Sequence, residues 1–280
     1  MSFVATPEQI AAYTRICNDP SYSQEAITVE FVTTKEFIEN VLPPTFTPAD
    51  QPTGLISVST WQSNACGDFE LSSISVRCNC DGREGYYVLN LVLSEPFAIT
   101  WGRETWGEIK KDGKPRLFGN GNRKYGYCER RGVRLIEMEA EFTDFLEPNT
   151  TEWFDFEVKA FPATRGGGLD ADPKLITLKV VDHNVRRATG KGKLTLRGSP
   201  SDPLHTIPIK AIGKFSYSSG PTQWRVLDER TLCPAADYLP YFIGRHYDDF
   251  SSWPIGTNMP NLNEETAQDP TAPQPRTFFS

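Results

Sequence analysis

The run Phe69-Glu70-Leu71-Ser72-Ser73-Ile74-Ser75-Val76-Arg77-Cys78-Asn79-Cys80-Asp81-Gly82-Arg83-Glu84-Gly85-Tyr86-Tyr87-Val88-Leu89-Asn90-Leu91-Val92-Leu93 reads as two strands and a turn. Phe69–Cys78 and Tyr86–Leu93 are strand-sized and rich in β-branched and aromatic residues. Asp81-Gly82 between them is a turn signal. The same texture continues on both sides. Upstream, Ala26–Thr33 alternates around Ile27, Val29 and Phe31, and Gly54–Trp61 follows. Downstream, the expected strands are Phe97–Trp101, Arg134–Phe145, Trp153–Phe161, Lys174–Val181, Lys193–Arg197 and Ile207–Ser218. Many β segments with short turn-rich joints predict a mainly β fold, a closed antiparallel barrel or a sandwich, and not a βαβ array.

Helices are few. Thr6 precedes Pro7, and Gln9 stands three residues after Thr6, which is a capping-box pattern with proline at the first helical position. It predicts an N-terminal helix over residues 6–17. Lys35–Leu42 reads as one or two helical turns, with Phe37, Ile38 and Val41 inward, stopped by Pro43-Pro44. Residues 1–253 are expected to form a single β domain. From Pro254 the composition turns to Asn, Pro, Thr, Glu and Gln, and residues 254–280 are expected to be a flexible tail.

The 280-residue chain carries 29 Lys and Arg against 36 Asp and Glu, a formal charge of −7. Such an acidic chain, with no basic block, speaks against nucleic-acid or anionic-membrane partners. Its longest apolar runs are strand-sized, far short of a membrane helix. Met1–Ala5 has neither a basic nor an apolar leader pattern, and a cytoplasmic protein is expected. The six cysteines are spread too thinly for a disulfide scaffold. Cys78 and Cys80 share a strand face, but no nearby Cys or His pair completes a zinc set, so no metal is expected.

Familiar catalytic signatures are missing. There is no Gly-x-Ser-x-Gly elbow. The glycine-rich segments Gly119–Asn122 and Arg165–Gly168 do not stand between a strand and a helix, and Thr189–Lys193 lacks the spacing of a phosphate loop. The informative stretch is Glu95–Phe118. In it Lys110-Lys111 follows a Gly102-Arg103-Glu104 corner. Read alone, this pair before Asp112-Gly113 has the pattern of a solvated hairpin end. The functional alternative is an amine nucleophile, which must be neutral to attack a carbonyl. Burial in an apolar pocket or a nearby cation favours that form.

Gly102-Arg103-Glu104, five residues, then Lys110-Lys111 resembles the Schiff-base segment of the acetoacetate decarboxylase family. The resemblance extends through Tyr86–Glu104 with its Glu95-Pro96 step, Gly67-Asp68-Phe69-Glu70, Lys35–Pro43, Trp153–Pro162 and Pro208–Ser216. It spans roughly residues 24–239. It implies a cone- or barrel-like antiparallel sheet with a few peripheral helices. It also implies Lys110 as the Schiff-base lysine, Lys111 as the second lysine of the pair, and Glu70 as a carboxylate assisting proton transfer. Strand alternation points Lys111 away from Lys110, which leaves desolvation as the larger influence on Lys110. Arg103 and Glu104 are expected to be structural, pairing near the corner. Gln24 falls where bacterial members carry an arginine, and a second active-site glutamate expected near Ile56-Ser57 is absent. Phe97, Trp101 and Trp106 are candidates to line the pocket.

The function so implied is decarboxylation of a small β-keto acid, with no cofactor beyond the lysine imine, in a homo-oligomer. One alternative is a Schiff-base aldolase, dehydratase or cyclase acting on a keto acid. Another is a non-catalytic barrel that binds a small ligand.

Overall fold

A computed structural model describes residues 3–248. The chain begins with helix α1 (Pro7–Asn18), where Thr6 and Gln9 close a reciprocal capping box at 3.3 and 2.9 Å. Strand β1 (Tyr22–Val32) leads to α2 (Lys35–Val41), capped by the Thr34 hydroxyl, and to the short β2 (Thr47–Pro48). Next come β3 (Thr53–Ser63), β4 (Phe69–Cys80) and β5 (Arg83–Leu93). Helix α3 (Pro96–Thr105) separates them from β6 (Lys110–Asp112), β7 (Lys114–Asn120), β8 (Arg123–Arg130) and β9 (Val133–Leu146). The remainder is β10 (Asn149–Lys159), β11 (Lys174–Asn184), β12 (Arg186–Leu196), the long β13 (Ala211–Thr231) and α4 (Ala235–His246).

These strands form one 13-stranded sheet. The order β1-β3-β4-β5-β10-β11-β13 closes because β13 also pairs with β1, which makes a seven-stranded barrel. Closure removes the edges that would otherwise invite pairing with another chain. The strands β12, β9, β8 and β7 continue from β13. They fold back so that Ile136, Met138 and Phe142 join Ile27, Ile56 and Ile74 in one core outside the barrel. The fold is therefore mainly β, as the strand pattern predicts.

Register decides which side chains enter the barrel. Gln24 pairs with Trp61, Trp61 with Phe69, and Leu71 with Leu93, so these residues share the inner face. Tyr22, Trp61, Phe69, Leu91, Leu93, Ile176 and Leu178 meet there with Ala98 and Trp106. Every pairing in the sheet is antiparallel except two on one edge of β5. Residues Tyr86–Tyr87 pair with β10, and Leu91–Leu93 pair with β6, both in parallel. That shared edge is where the site lies.

Several expectations are corrected. Phe97–Trp101 is not a strand but the body of α3. Pro96 sits at its first turn, and Ala98 and Gly102, four residues apart, are its buried positions. A five-residue run with four apolar residues does not separate the two periods. The strands β6, β7 and β8 and the helix α4 were not anticipated. The expected Lys193–Arg197 and Ile207–Ser218 segments lie largely within longer strands, although Ile207–Lys210 precedes β13. The expected tail, residues 254–280, lies outside the described residues. Among the described residues, no helix is long and apolar enough to cross a membrane.

Candidate active site

Lys110 opens β6 opposite Leu91, on the inner face. Its Nζ lies 2.8 Å from Glu108 Oε2 and 3.4 Å from the Ala98 carbonyl oxygen. The Phe69 ring centroid is 5.9 Å away. The two charged side chains are only 4% and 5% exposed. A buried ion pair is held against its desolvation cost only with further polar support. Here the carbonyl of α3 supplies part of it. Glu108 and Lys110 are two residues apart in extended chain, so they project to the same side.

Helix α3 presents Gly102 to this pair. A Cβ there would stand 2.0 Å from Glu108 Oε2 and 2.4 Å from Lys110 Nζ. The obstructing atoms are the ends of flexible side chains, so Gly102→Ala is expected to fold and to push the amine aside. A misplacement of about 1 Å can cost roughly 10²-fold. We therefore expect reductive labelling of the Lys110 amine by a small carbonyl compound to slow by about that factor in Gly102→Ala, at nearly unchanged Tm. Calorimetry and timed borohydride quenching measure the two quantities, and unchanged kinetics would contradict the placement.

Around the pair stands an aromatic wall. Trp61 stacks on Phe69 with centroids 6.1 Å apart. Trp224 lies 5.3 Å from Tyr22, 5.5 Å from Trp61 and 5.4 Å from Trp106. Burial, followed by the charge of Glu108, pushes the Tyr22 phenol up, so it stays a neutral hydrogen-bonding group. Gln24 is on the same face, and its amide donates to Asp182 Oδ2 at 2.8 Å. The Thr222 hydroxyl donates to the other Asp182 oxygen at 2.6 Å. Burial still raises the Asp182 carboxyl, against these two donors.

Lys111 projects to the opposite side of β6. Its Nζ donates to the Ser201 carbonyl at 2.9 Å and to Asp202 Oδ1 at 3.3 Å, and lies 3.6 Å from Asp248 Oδ1. Arg130 joins this network through Asp202 Oδ2 at 2.7 Å and Asp248 Oδ1 at 2.9 Å. Lys111 thus ties β6 to the 201–202 turn and to the segment after α4. Arg103 donates to the Lys110 carbonyl at 3.0 Å and so fastens α3 to β6. Glu104 is exposed on α3.

The structure therefore brings Lys110 and Trp106 together with Gln24 on the inner face. It holds other candidates elsewhere. Glu70 follows Phe69 on β4 and projects to the outer face, where its carboxylate pairs with Arg116 of β7. Phe97 is 59% exposed. Trp101, by contrast, is half-buried and packs against the interior cluster, with its ring 6.3 Å from Phe97 and 6.0 Å from Tyr13. Sequence reasoning passed over Glu108. The signal was available, because two-residue spacing before Lys110 in extended chain puts both on one face.

Comparison with known proteins agrees with this arrangement of strands. The sequence profile of the family described as acetoacetate decarboxylase (ADC) matches residues 1–230. The acetoacetate decarboxylase of Chromobacterium violaceum is 24% identical over 199 residues, covering 67% of this chain and 78% of that protein. The crystal structure of acetoacetate decarboxylase from Legionella pneumophila superposes with a TM-score of 0.68 at 20% identity, covering 78% of this chain and 88% of that one. The enduracididine biosynthesis enzyme MppR, complexed with the condensation product of pyruvate and imidazole 4-carboxaldehyde, superposes with a TM-score of 0.62. It is 17% identical, with 79% of this chain and 90% of that one covered.

Proposed function

Because the chain belongs to the acetoacetate decarboxylase family, we propose that it decarboxylates a β-keto acid through an imine formed on Lys110. The observation that carries this reading is the Lys110–Glu108 pair, 2.8 Å apart and buried within the aromatic interior of the barrel. Proton transfer from the ammonium to Glu108 frees the amine. Attack on the ketone carbon gives a carbinolamine, and loss of water gives a protonated imine. That imine accepts the electron pair of the breaking carbon–carbon bond, so carbon dioxide leaves and an enamine remains. Glu108 returns its proton to the enamine carbon. Hydrolysis then releases the ketone and the amine. Lysine supplies the electron sink that a prosthetic group supplies elsewhere.

A panel of β-keto acids tests this reading, with carbon dioxide release and borohydride trapping followed in the same samples. Acetoacetate is expected to be a poorer substrate than its longer homologues. Gln24 offers a neutral donor where the family places an arginine, and that donor is committed to Asp182. A longer chain recovers about 0.8 kcal/mol per buried methylene against the aromatic wall. That is about fourfold in kcat/KM for each added carbon. A series in which acetoacetate is best would contradict it.

The second reading keeps the imine and changes the reaction to aldol addition, dehydration or cyclisation of a keto acid. The same Gln24–Asp182 contact favours it, since no cation stands ready at that position of β1 for the carboxylate that must leave. Imine trapping without carbon dioxide release would select it.

A further inference from the structure

From the architecture of the β5 edge we infer that Glu157 is the proton donor of the Lys110 site, the acid that turns the carbinolamine hydroxyl into water. This deepens the Schiff-base reading and rests on it. Strand β10 pairs with β5 only through Asp155–Tyr86 and Phe156–Tyr87. Beyond that point the β5 edge is taken over by β6, with Lys110 opposite Leu91. Glu157 therefore stands where β10 parts from β5 and β6 begins. The turn before β6 closes onto the same place. Gly107 is in the left-handed region at φ +80°, and a Cβ on it would lie 2.2 Å from Lys159 Cα. Lys159 Nζ donates to the Thr105 carbonyl at 3.2 Å. These contacts press the Glu108 segment against Glu157–Lys159.

Glu157 faces inward, since its partner on β11 is Ile176 of the interior cluster. It is 4% exposed. Among the described residues its carboxyl makes no hydrogen bond to another side chain or backbone group. A buried carboxyl in that state has donor capacity to spare for a ligand. The charged and titratable groups around it are Glu108 and Lys110 from the β6 segment, Asp155 on its own strand, Tyr87 on β5, and Arg245 and Tyr238 on α4. Burial, followed by the Glu108 and Asp155 carboxylates, raises Glu157 well above the ordinary carboxylate range, against Arg245 and Lys110. Asp155 is itself pushed up to about 7, chiefly by burial. The Glu108 and Glu157 carboxyls thus divide the work, with Glu108 placed 2.8 Å from the amine to accept a proton and Glu157 holding one.

The step balances. The nitrogen lone pair of the carbinolamine forms the second carbon–nitrogen bond as the carbon–oxygen bond breaks. The leaving hydroxyl takes the Glu157 proton and departs as water, leaving a protonated imine and a Glu157 carboxylate. When water adds to the product imine, its lost proton restores the acid.

The test is single-turnover imine formation between pH 6 and 9, with acetoacetate and 3-oxohexanoate as probes. Borohydride quenching at timed intervals and intact mass give the rate. In the wild type the rate should hold while Glu157 keeps its proton and fall as pH rises through its pKa. Glu157→Gln should slow imine formation by roughly 10²–10⁴-fold and lose that pH limb. Glu157→Asp, which keeps an acid, should be slowed less and keep a limb. If Glu157→Gln fails to fold, by near-UV circular dichroism, Glu157→Asp decides. A displaced limb supports the assignment, and a profile identical to the wild type overturns it. A Glu157→Gln rate within threefold of the wild type, with the limb intact, also overturns it. A wild type that traps no imine would instead bring down the Schiff-base reading on which this one stands.

Discussion

Lys110→Ala is expected to remove turnover and imine trapping together, with a loss on the order of 10⁶-fold, as when a covalent nucleophile is deleted. Lys110 Nζ is the amine enclosed by Phe69, Ala98 and Glu108. An alanine leaves a cavity but no substitute nucleophile. Lys111 cannot take over, because its ammonium is held by Asp202 and the Ser201 carbonyl on the other side of β6. Lys111→Met should behave in the opposite way. It leaves Asp202 and Asp248 short of a cation, and breaking a buried pair costs about 3–5 kcal/mol. Its Tm should therefore fall by several degrees while the protein that stays folded still traps imine. Full activity in Lys110→Ala, or trapping abolished in a folded Lys111→Met, would reverse the two roles.

Glu108→Gln should slow turnover by roughly 10²–10⁴-fold, the range for a general acid–base group. The substitution keeps size and removes the proton acceptor 2.8 Å from the amine. With Glu157 holding its own proton, the ammonium would then have to lose its proton to water. Glu70→Gln is the control. Its carboxylate pairs with Arg116 at a partly exposed position, 24% accessible. Partly exposed ion pairs contribute at most about 1 kcal/mol, so turnover should change by less than about fivefold. Rates measured in parallel decide between the two carboxylates. Faster imine formation in Glu108→Gln would mean that Glu108 serves to hold the lysine charged, which contradicts its place in the mechanism.

The barrel was legible where apolar strand-sized runs were long, as in β1, β4 and β5, and where a turn marked the end of one, as Asp81-Gly82 does after β4. It was less legible in β7 and β8, whose Lys114–Arg130 region is polar and poor in β-branched residues. Helix α3 was misread because Pro96-Phe97-Ala98-Ile99-Thr100 fits a strand or a helix equally. The proline at its first turn and the spacing of Ala98 to Gly102 were the signals that pointed to a helix.

For the site, the Gly102-Arg103-Glu104 and Lys110-Lys111 spacing led to the amine, and alternation separated the two lysines. Glu70 was placed by resemblance and faces outward. Glu157 had no sequence signal. Alternation tells which residues share a face of β10, but a glutamate between Phe156 and Val158 reads as solvent-facing. Only the closing of β13 onto β1 turns that face inward. Burial that depends on ring closure is a property of pairings far apart in the chain, such as Tyr22 with Thr222, 200 residues apart.

The most direct measurement is borohydride reduction in the presence of a β-keto acid, followed by fragmentation of the peptide that carries Lys110-Lys111. The account predicts one added adduct mass, located on Lys110, appearing together with carbon dioxide release and absent without substrate. An adduct on Lys111, or no adduct while turnover proceeds, would contradict it.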